Sequence, residues 1–174
     1  MRTVVQIVCA AVMCSLLGVE TALAQPATAG CSSERTAIAT RTLHCGGGMT
    51  IVAEDGAQFT VQDRDRHGDV NSVDLRSKAL LLDVPKQTAG RRFEVVTPQA
   101  IAAVRGTKWA VDAQASTTSV LVLGGQVAVR RRAGKDRVVL RPGEGVDVET
   151  GTGRLTVKRW PEARVAALLA RLGQ

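Results

Sequence analysis

The segment Thr118-Ser119-Val120-Leu121-Val122-Leu123-Gly124-Gly125-Gln126-Val127-Ala128-Val129 decides the fold class. Ser119 to Leu123 is a nearly continuous apolar run of strand length, the pattern of a β-strand covered on both faces. Gly124-Gly125 follows and predicts a two-residue hairpin turn that tolerates positive φ. Val127 and Val129 then alternate with Ala128 and Arg130. Downstream, the turn Ala133-Gly134-Lys135-Asp136 leads into Val138-Val139-Leu140, and Pro142-Gly143 turns the chain again before Val146 and Val148. Leu155 and Val157 predict one more strand. Upstream, Arg92 to Val96 predicts a strand, and Trp109 and Val111 flank Ala110 in another. Strands that recur about every ten residues with turns between them imply an all-β fold, an antiparallel sandwich or a β-roll or jelly-roll-like form. Its core is aliphatic, each buried Val or Leu contributing about 1.5–3 kcal/mol before entropy is counted.

The first half carries the same signals more faintly. Met49 to Ala53 is apolar, Glu54-Asp55-Gly56 reads as a turn, and Phe59 and Val61 alternate with polar neighbours. Asp63 to Asp69 alternates in charge and predicts an exposed loop, whereas Leu80-Leu81-Leu82 lies between turns and favours strand. The tail changes period. Pro161 suits the first turn of a helix, and Val165, Leu168, Leu169 and Leu172 share one face, with Arg164 and Arg171 turned elsewhere. A helix of this length covers an open sheet edge or end, or binds a partner.

Residues 1–24 read as a signal peptide: Arg2, an apolar run from Val4 to Leu17, and an A-x-A site at Ala22-Leu23-Ala24. The run is too short and interrupted for a comfortable membrane span, and an uncleaved anchor is the other reading. The expected organisation is a signal peptide over 1–24, a β subregion over 25–90, a second β domain over 91–157 and a helix over 158–174. After cleavage Cys31 and Cys45 remain, and in an oxidising compartment such a pair forms a disulfide. Closing a loop of about 15 residues stabilises the fold by roughly 3 kcal/mol. Two rivals stand beside it. Thr28-Ala29-Gly30-Cys31 has the look of a lipobox, and Cys31, His44 and Cys45 are metal-ligand types without a second ligand pair at finger-like spacing.

The net charge is +7, and Arg2 and Glu20 cancel within the leader. A basic exported protein suits anionic partners such as phospholipid heads, lipopolysaccharide or acidic wall polymer. Nucleic acid is disfavoured, because the chain has no Tyr and only Phe59, Phe93, Trp109 and Trp160 to stack on bases. The cluster Arg130, Arg131 and Arg132, with Lys135 and Arg137 across the turn, is the candidate anionic contact patch. A solvated strand tip that discourages edge pairing has the same composition.

The segment from Val96 to Val111 is the most informative for function. Thr97-Pro98 opens it, and Arg105-Gly106-Thr107 precedes the aromatic Trp109. Next come a strand ending in Gly125-Gln126-Val127 and a close through Pro142-Gly143. In this order and spacing, Phe93 to Val148 resembles the FecR domain. Each residue type also has a physical reason. Gly106 lets the chain bend or approach a neighbouring backbone, the Thr107 hydroxyl can satisfy a freed backbone group there, and Trp109 offers apolar area to seal the core. Arg105 can pair with Asp112 or Glu94, or present its donors to a partner. Thr97-Pro98 can also cap one helical turn across Ala100 to Val104. The resemblance implies a periplasmic module of the kind that relays signals from an outer-membrane receptor to a sigma factor. The 174 residues carry no cytoplasmic segment ahead of the leader and no later span, so the expectation is interaction or envelope sensing and not sigma-factor binding.

No catalytic set emerges. His44 adjoins Cys45, His67 lies in the charged loop, and no Ser-centred elbow accompanies either. The expectation is a periplasmic or secreted, non-catalytic module without cofactor or metal. It contacts an envelope protein or, alternatively, lipopolysaccharide or another anionic glycan or lipid.

Overall fold

The computed structural model describes residues 30–36, 40–63, 70–86 and 92–174. The expected leader, the start of the mature chain, His67 and most of the charged loop lie outside them. The chain is mostly β, as expected, with one short C-terminal helix. Its strands are β1 (Cys31–Thr36), β2 (Thr40–Cys45), β3 (Met49–Glu54), β4 (Gln58–Gln62), β5 (Ser72–Val84), β6 (Phe93–Val96) and β7 (Ala100–Val104). They continue as β8 (Thr107–Ala113), β9 (Thr117–Gly124), β10 (Val127–Arg131), β11 (Arg137–Leu140), β12 (Glu144–Glu149) and β13 (Lys158–Arg159), before helix α1 (Glu162–Arg171).

The strands form two packed faces of one curled sheet, joined through β5. Sheet I runs β1-β2-β3-β5-β8-β9-β12-β13, and sheet II runs β4-β5-β6-β7-β10-β11. Among the described strands only the β5–β6 pair is parallel. The first part of β5 pairs with β4 and β6, and Lys78 to Val84 pairs with β3 and β8. The switch falls at Lys78, whose φ of 66° is the one positive value among described non-glycine residues. Its ammonium donates to the Asp55 carbonyl, and the Ala79 N–H donates to Glu54 Oε2 at 3.0 Å, which holds the bend. β5 thus ties the 25–90 segment to the 91–157 segment within both sheets.

Gly124-Gly125 is not a hairpin turn. β9 pairs with β8 and β12 in sheet I, while β10 pairs with β7 and β11 in sheet II. The glycines carry the chain from one sheet to the other, so strands adjacent in sequence are partners of different neighbours. The Gly106 bend does the same between β7 and β8, and Gly143 between β11 and β12. Thr97-Pro98-Gln99 is a true hairpin turn: the Thr97 N–H donates to the Ala100 carbonyl at 2.9 Å, and Ala100–Val104 is strand where a helical turn was the alternative. The strand expected at Leu155 and Val157 falls instead at Lys158–Arg159. Leu155 is buried in the core, its N–H bonded to the Asp136 carboxylate, so it plugs the space between the sheets and joins no ladder.

The core between the sheets is aliphatic around Trp109, with Leu43, Ile51, Leu75, Leu80, Leu82, Val95, Val127 and Leu140 fully buried. Cys31 and Cys45 face each other across β1–β2 and form a disulfide. On the outer face of sheet I a second cluster, Ala79, Leu81, Ala110, Leu121 and Trp160, receives Leu168 of α1 and Leu172 just after it. Helix α1 therefore covers a sheet face, not an edge or end. This explains the doubly apolar β9: Val120 and Val122 face the inter-sheet core, and Leu121 faces the helix.

The helix arginines are turned toward the sheet, contrary to the expectation. Arg171 reaches Asp112 at 2.7 Å and Glu54 at 2.6 Å, and Arg164 reaches Asp147 at 2.5 Å while its guanidinium lies 3.5 Å from the Trp160 ring centroid. A long side chain leaves the helix flank and bends to the sheet, so the periodic pattern that assigns faces by Cβ direction misplaces it. The bonds to Asp112 and then Glu54 raise the Arg171 guanidinium above its ordinary value. Burial pushes the Asp147 carboxyl up, but hydrogen bonds from Arg164 and Ser119 and the charges of Arg164 and Lys158 outweigh it, and it lies below its usual 3.8.

Two outcomes are expected. Replacing Cys31 and Cys45 together with Ser lowers the unfolding free energy by roughly 3 kcal/mol in urea titration, through the freed denatured chain. A depressed carboxyl stabilises the fold above its unfolded pKa and loses that contribution as pH falls through its folded pKa. Asp147→Asn is therefore less stable than the parent at pH 6 by about 0.5 kcal/mol, a small figure because both partners are partly solvated. The gap shrinks as pH falls below the usual carboxylate range and closes once the Asp147 carboxyl is protonated in the folded state.

Candidate functional site

The residues of the Thr-Pro to Gly-x-Val motif converge on two structural knots. In the first, Thr97 and Thr118, both buried, share a hydroxyl–hydroxyl bond of 2.8 Å. The Ala100 N–H donates to Thr97 Oγ1 at 2.9 Å, and the Thr118 hydroxyl donates to Gln99 Oε1 at 2.8 Å. Gln99 Nε2 then donates to the Ala115 carbonyl at 3.1 Å. The β6–β7 turn is thereby fastened to the β8–β9 hairpin, and Pro98 fixes the turn with an exposed ring that needs no donor.

The second knot joins Gly106 and Gly125. Both have positive φ, 65° and 84°. A Cβ on Gly125 would lie 2.7 Å from the Gly106 carbonyl oxygen and 2.9 Å from Thr107 Oγ1, and one on Gly106 would meet Lys86 at 2.2 Å. The Thr107 hydroxyl donates to the Gln126 carbonyl at 3.0 Å, the role expected for it. Trp109 lies beneath, with no exposed surface and its indole Nε1 without a hydrogen-bond partner. Val127 fills the core beside it, and the Gly143 N–H donates to the Val122 carbonyl at 2.9 Å in the next corner.

The basic cluster does not act as a block. Arg131 is only 6% exposed, and its guanidinium donates to the carbonyls of Gly153 at 2.8 Å, Glu149 at 2.5 Å and Gly151 at 3.1 Å. It holds the loop after β12 and is not free for an anion. Arg132 is exposed but donates to the Thr97 carbonyl at 3.3 Å. Arg130, Lys135 and Arg137 are exposed, with Arg130 directly opposite Arg137. Strand alternation explains the division: Val127, Val129 and Arg131 point inward, and Ala128 and Arg130 point outward.

A surface that the linear cluster did not reveal lies on the outer face of sheet II. Ala103, Ala128 and Val139 are cross-strand neighbours through the β7–β10 and β10–β11 registers. Together they floor a shallow concavity of about 300 Å³, walled by Arg92, Arg105, Gln126 and Arg137. Arg105 pairs with neither Asp112 nor Glu94. Asp112 lies under the helix with Arg171, and Arg105 is exposed on the opposite side of the molecule. The signal was present in the alternations Ala103/Arg105, Ala128/Arg130 and Arg137/Val139, which needed the registers to become one surface. Val139, 49% exposed, is the one large apolar side chain that is exposed among the described residues.

Residues 34–128 match the family described as FecR protein. The chain belongs to the FecR family. The match starts in β1 and ends in β10, so it takes in the first five strands, which the motif resemblance left out, and stops before Gly143. Two crystal structures, at 1.65 and 2.50 Å resolution, of a proposed anti-sigma factor from Parabacteroides distasonis ATCC 8503 share the fold of this FecR chain. They superpose with TM-scores of 0.60 and 0.62 at 20% and 21% identity, over 75% of this chain and 60% of theirs. No curated protein matches the FecR chain at a significant level.

His44 lies 3.8 Å from Glu34 on the exposed β1–β2 ribbon, and Cys31 and Cys45 are spent on the disulfide. Among the described residues no group of three His, Cys, Asp or Glu side chains could hold a metal ion, and no helix is long and apolar enough to cross a membrane.

The division of labour among the arginines predicts that Arg131→Ser lowers the unfolding free energy by about 2 kcal/mol, since the loop after β12 loses a buried charged donor that holds three of its carbonyls. Arg130→Ser should be neutral or slightly stabilising, because it removes a like-charge pair directly across the strands. Parallel urea titrations of the two variants read the difference.

Proposed function

We propose that this FecR protein is an exported, non-catalytic module of cell-envelope signalling that works by contact with another protein, through the open face of sheet II. The observation that carries the reading is the contrast between the two sheet faces. The outer face of sheet I is covered by α1 and its two arginine clamps. The outer face of sheet II keeps an apolar floor and a rim of arginines in the open. The motif residues other than Arg105 support the same reading, because they are used up in turns, corners and core, which leaves the fold as a rigid support for a surface. The FecR family assignment and the shared fold with a proposed anti-sigma factor support the signalling part of this reading.

Binding of lipopolysaccharide or another anionic glycan or lipid is the second reading, favoured by the arginine rim. The filled aliphatic core supports the protein-contact reading over it, since an acyl chain needs an apolar groove to enter and the trough is shallow.

Photocrosslinking in intact cells separates the two. A photoreactive residue at Ala128, in the floor of the trough, should give a discrete adduct with an envelope protein, whereas one at Ala163, exposed on α1, should not. Adducts from Ala128 that contain only lipid or glycan, or identical adducts from both positions, would sink the protein-contact reading.

A further inference from the structure

The edge strand β11 gives the open face a specific mode of recognition. β11 pairs only with β10, and no backbone group of the described chain bonds to its other side. The segment around Leu155 closes the core beneath it but spends the Leu155 N–H on the Asp136 side chain. The phase of the ladder follows from the Arg131 N–H, which donates to the Asp136 carbonyl at 3.3 Å. In an antiparallel pair the backbone groups of alternate residues turn toward the partner. Asp136, Val138 and Leu140 therefore face β10, and Arg137 and Val139 present both N–H and C=O at the free edge. These are the same two residues whose side chains reach the open face beside the trough.

The charge distribution selects the occupant. Arg130 and Arg137 are exposed and lie directly opposite each other, and like charges in that position repel. Arg92 and Arg105 add two more cations to the same face. Among the described residues none of these four arginines is held in an ion pair. A strand laid against β11 with carboxylates on its outward face would relieve that repulsion, while its alternate, apolar residues turn to the opposite face, beside Val138. Building on the protein-contact reading, we infer that β11 is a strand-addition site for an extended acidic segment of the partner. Main-chain bonds to Arg137 and Val139 supply the affinity, and Arg105, Arg130 and Arg137 select for carboxylates. A phosphate-bearing lipid or glycan can meet the arginines but cannot match the alternating donors and acceptors of the edge.

The test uses purified protein with the disulfide intact and a fluorescein-labelled peptide of about eight alternating valine and glutamate residues. The peptide should bind, and should bind more weakly as salt is raised, because the charges are solvent-facing. A lysine counterpart should not bind, nor should the glutamate peptide with alternate backbone nitrogens methylated. Val139→Pro removes a free-edge N–H while sparing the β10–β11 ladder, and should weaken binding about tenfold or more. The double variant Arg105→Ser/Arg137→Ser should weaken it by a similar factor. Retained binding of the methylated peptide to the unaltered protein would overturn strand addition, whatever Val139→Pro does to folding. So would equal binding of the lysine and glutamate peptides. Arginine-dependent binding of phosphatidylglycerol vesicles without peptide binding would assign the face to lipid. If the peptide fails while Ala128 still crosslinks to a protein, strand addition falls and the broader reading stands.

Discussion

The fold depends on a small set of backbone corners at which the chain leaves one sheet and enters the other. Gly56 and Lys78 stand together at one end, and Gly106, Gly125 and Gly143 line the other, each with positive φ. An L side chain is disfavoured in that region, so four of the five are glycine and the fifth is held by side-chain bonds around it. Because the crossings alternate with true hairpins, each sheet is assembled from strands distant in sequence. The corners also touch one another. The carbonyl of Gly106 occupies the space that a side chain on Gly125 would need, so the β7–β8 and β9–β10 crossings fix each other's position. Trp109 and the aliphatic core pack beneath a frame that these contacts define.

The sequence disclosed strands better than partners. Alternating valines located nearly every strand in the second half, and the apolar run at Ser119–Leu123 correctly implied a strand covered on both sides. Gly124-Gly125 misled because two glycines satisfy the backbone of a hairpin and of an inter-sheet corner equally well. Nothing local distinguishes them; the deciding contact is with Gly106, 19 residues earlier. Leu155 and Val157 misled for a related reason, since inward apolar alternation marks burial and not membership of a ladder. In the tail the apolar positions found the helix, but the flexible stems of Arg164 and Arg171 carried their charges back to Asp147, Asp112 and Glu54.

Those clamps bear on where function can reside. Leu168 and Leu172 cover a small apolar patch, and the flanking acids of sheet I are answered by the helix arginines. The acidic groups on that side are thereby neutralised within the molecule. On sheet II the arithmetic is reversed: the cations at the β7, β10 and β11 side have no answering helix, and Arg92, Arg105, Arg130 and Arg137 are presented there in the open. A single covering element thus gives the two faces opposite characters, one closed and compensated, the other open and cationic.

The arginine run shows why such a surface escapes a linear reading. Arg130, Arg131 and Arg132 are consecutive, yet one faces solvent, one is buried against three carbonyls, and one braces the Thr97 turn. A strand sends neighbours to opposite faces, so a run of like charges cannot make one patch; a patch is made by residues two apart and by their cross-strand partners. Arg130 and Arg137 meet this condition as cross-strand partners, Arg105 follows β7 on the same face, and the residues between them on that face include Ala103, Ala128 and Val139. Small side chains there leave the backbone accessible, which matters more for recognising an extended chain than for recognising a point charge. Edge strands in soluble proteins are commonly protected by charge. Here the protecting charges are all of one sign, so the edge is closed to neutral or basic strands and open to acidic ones. Protection against indiscriminate pairing and selection of one class of partner are then the same physical arrangement.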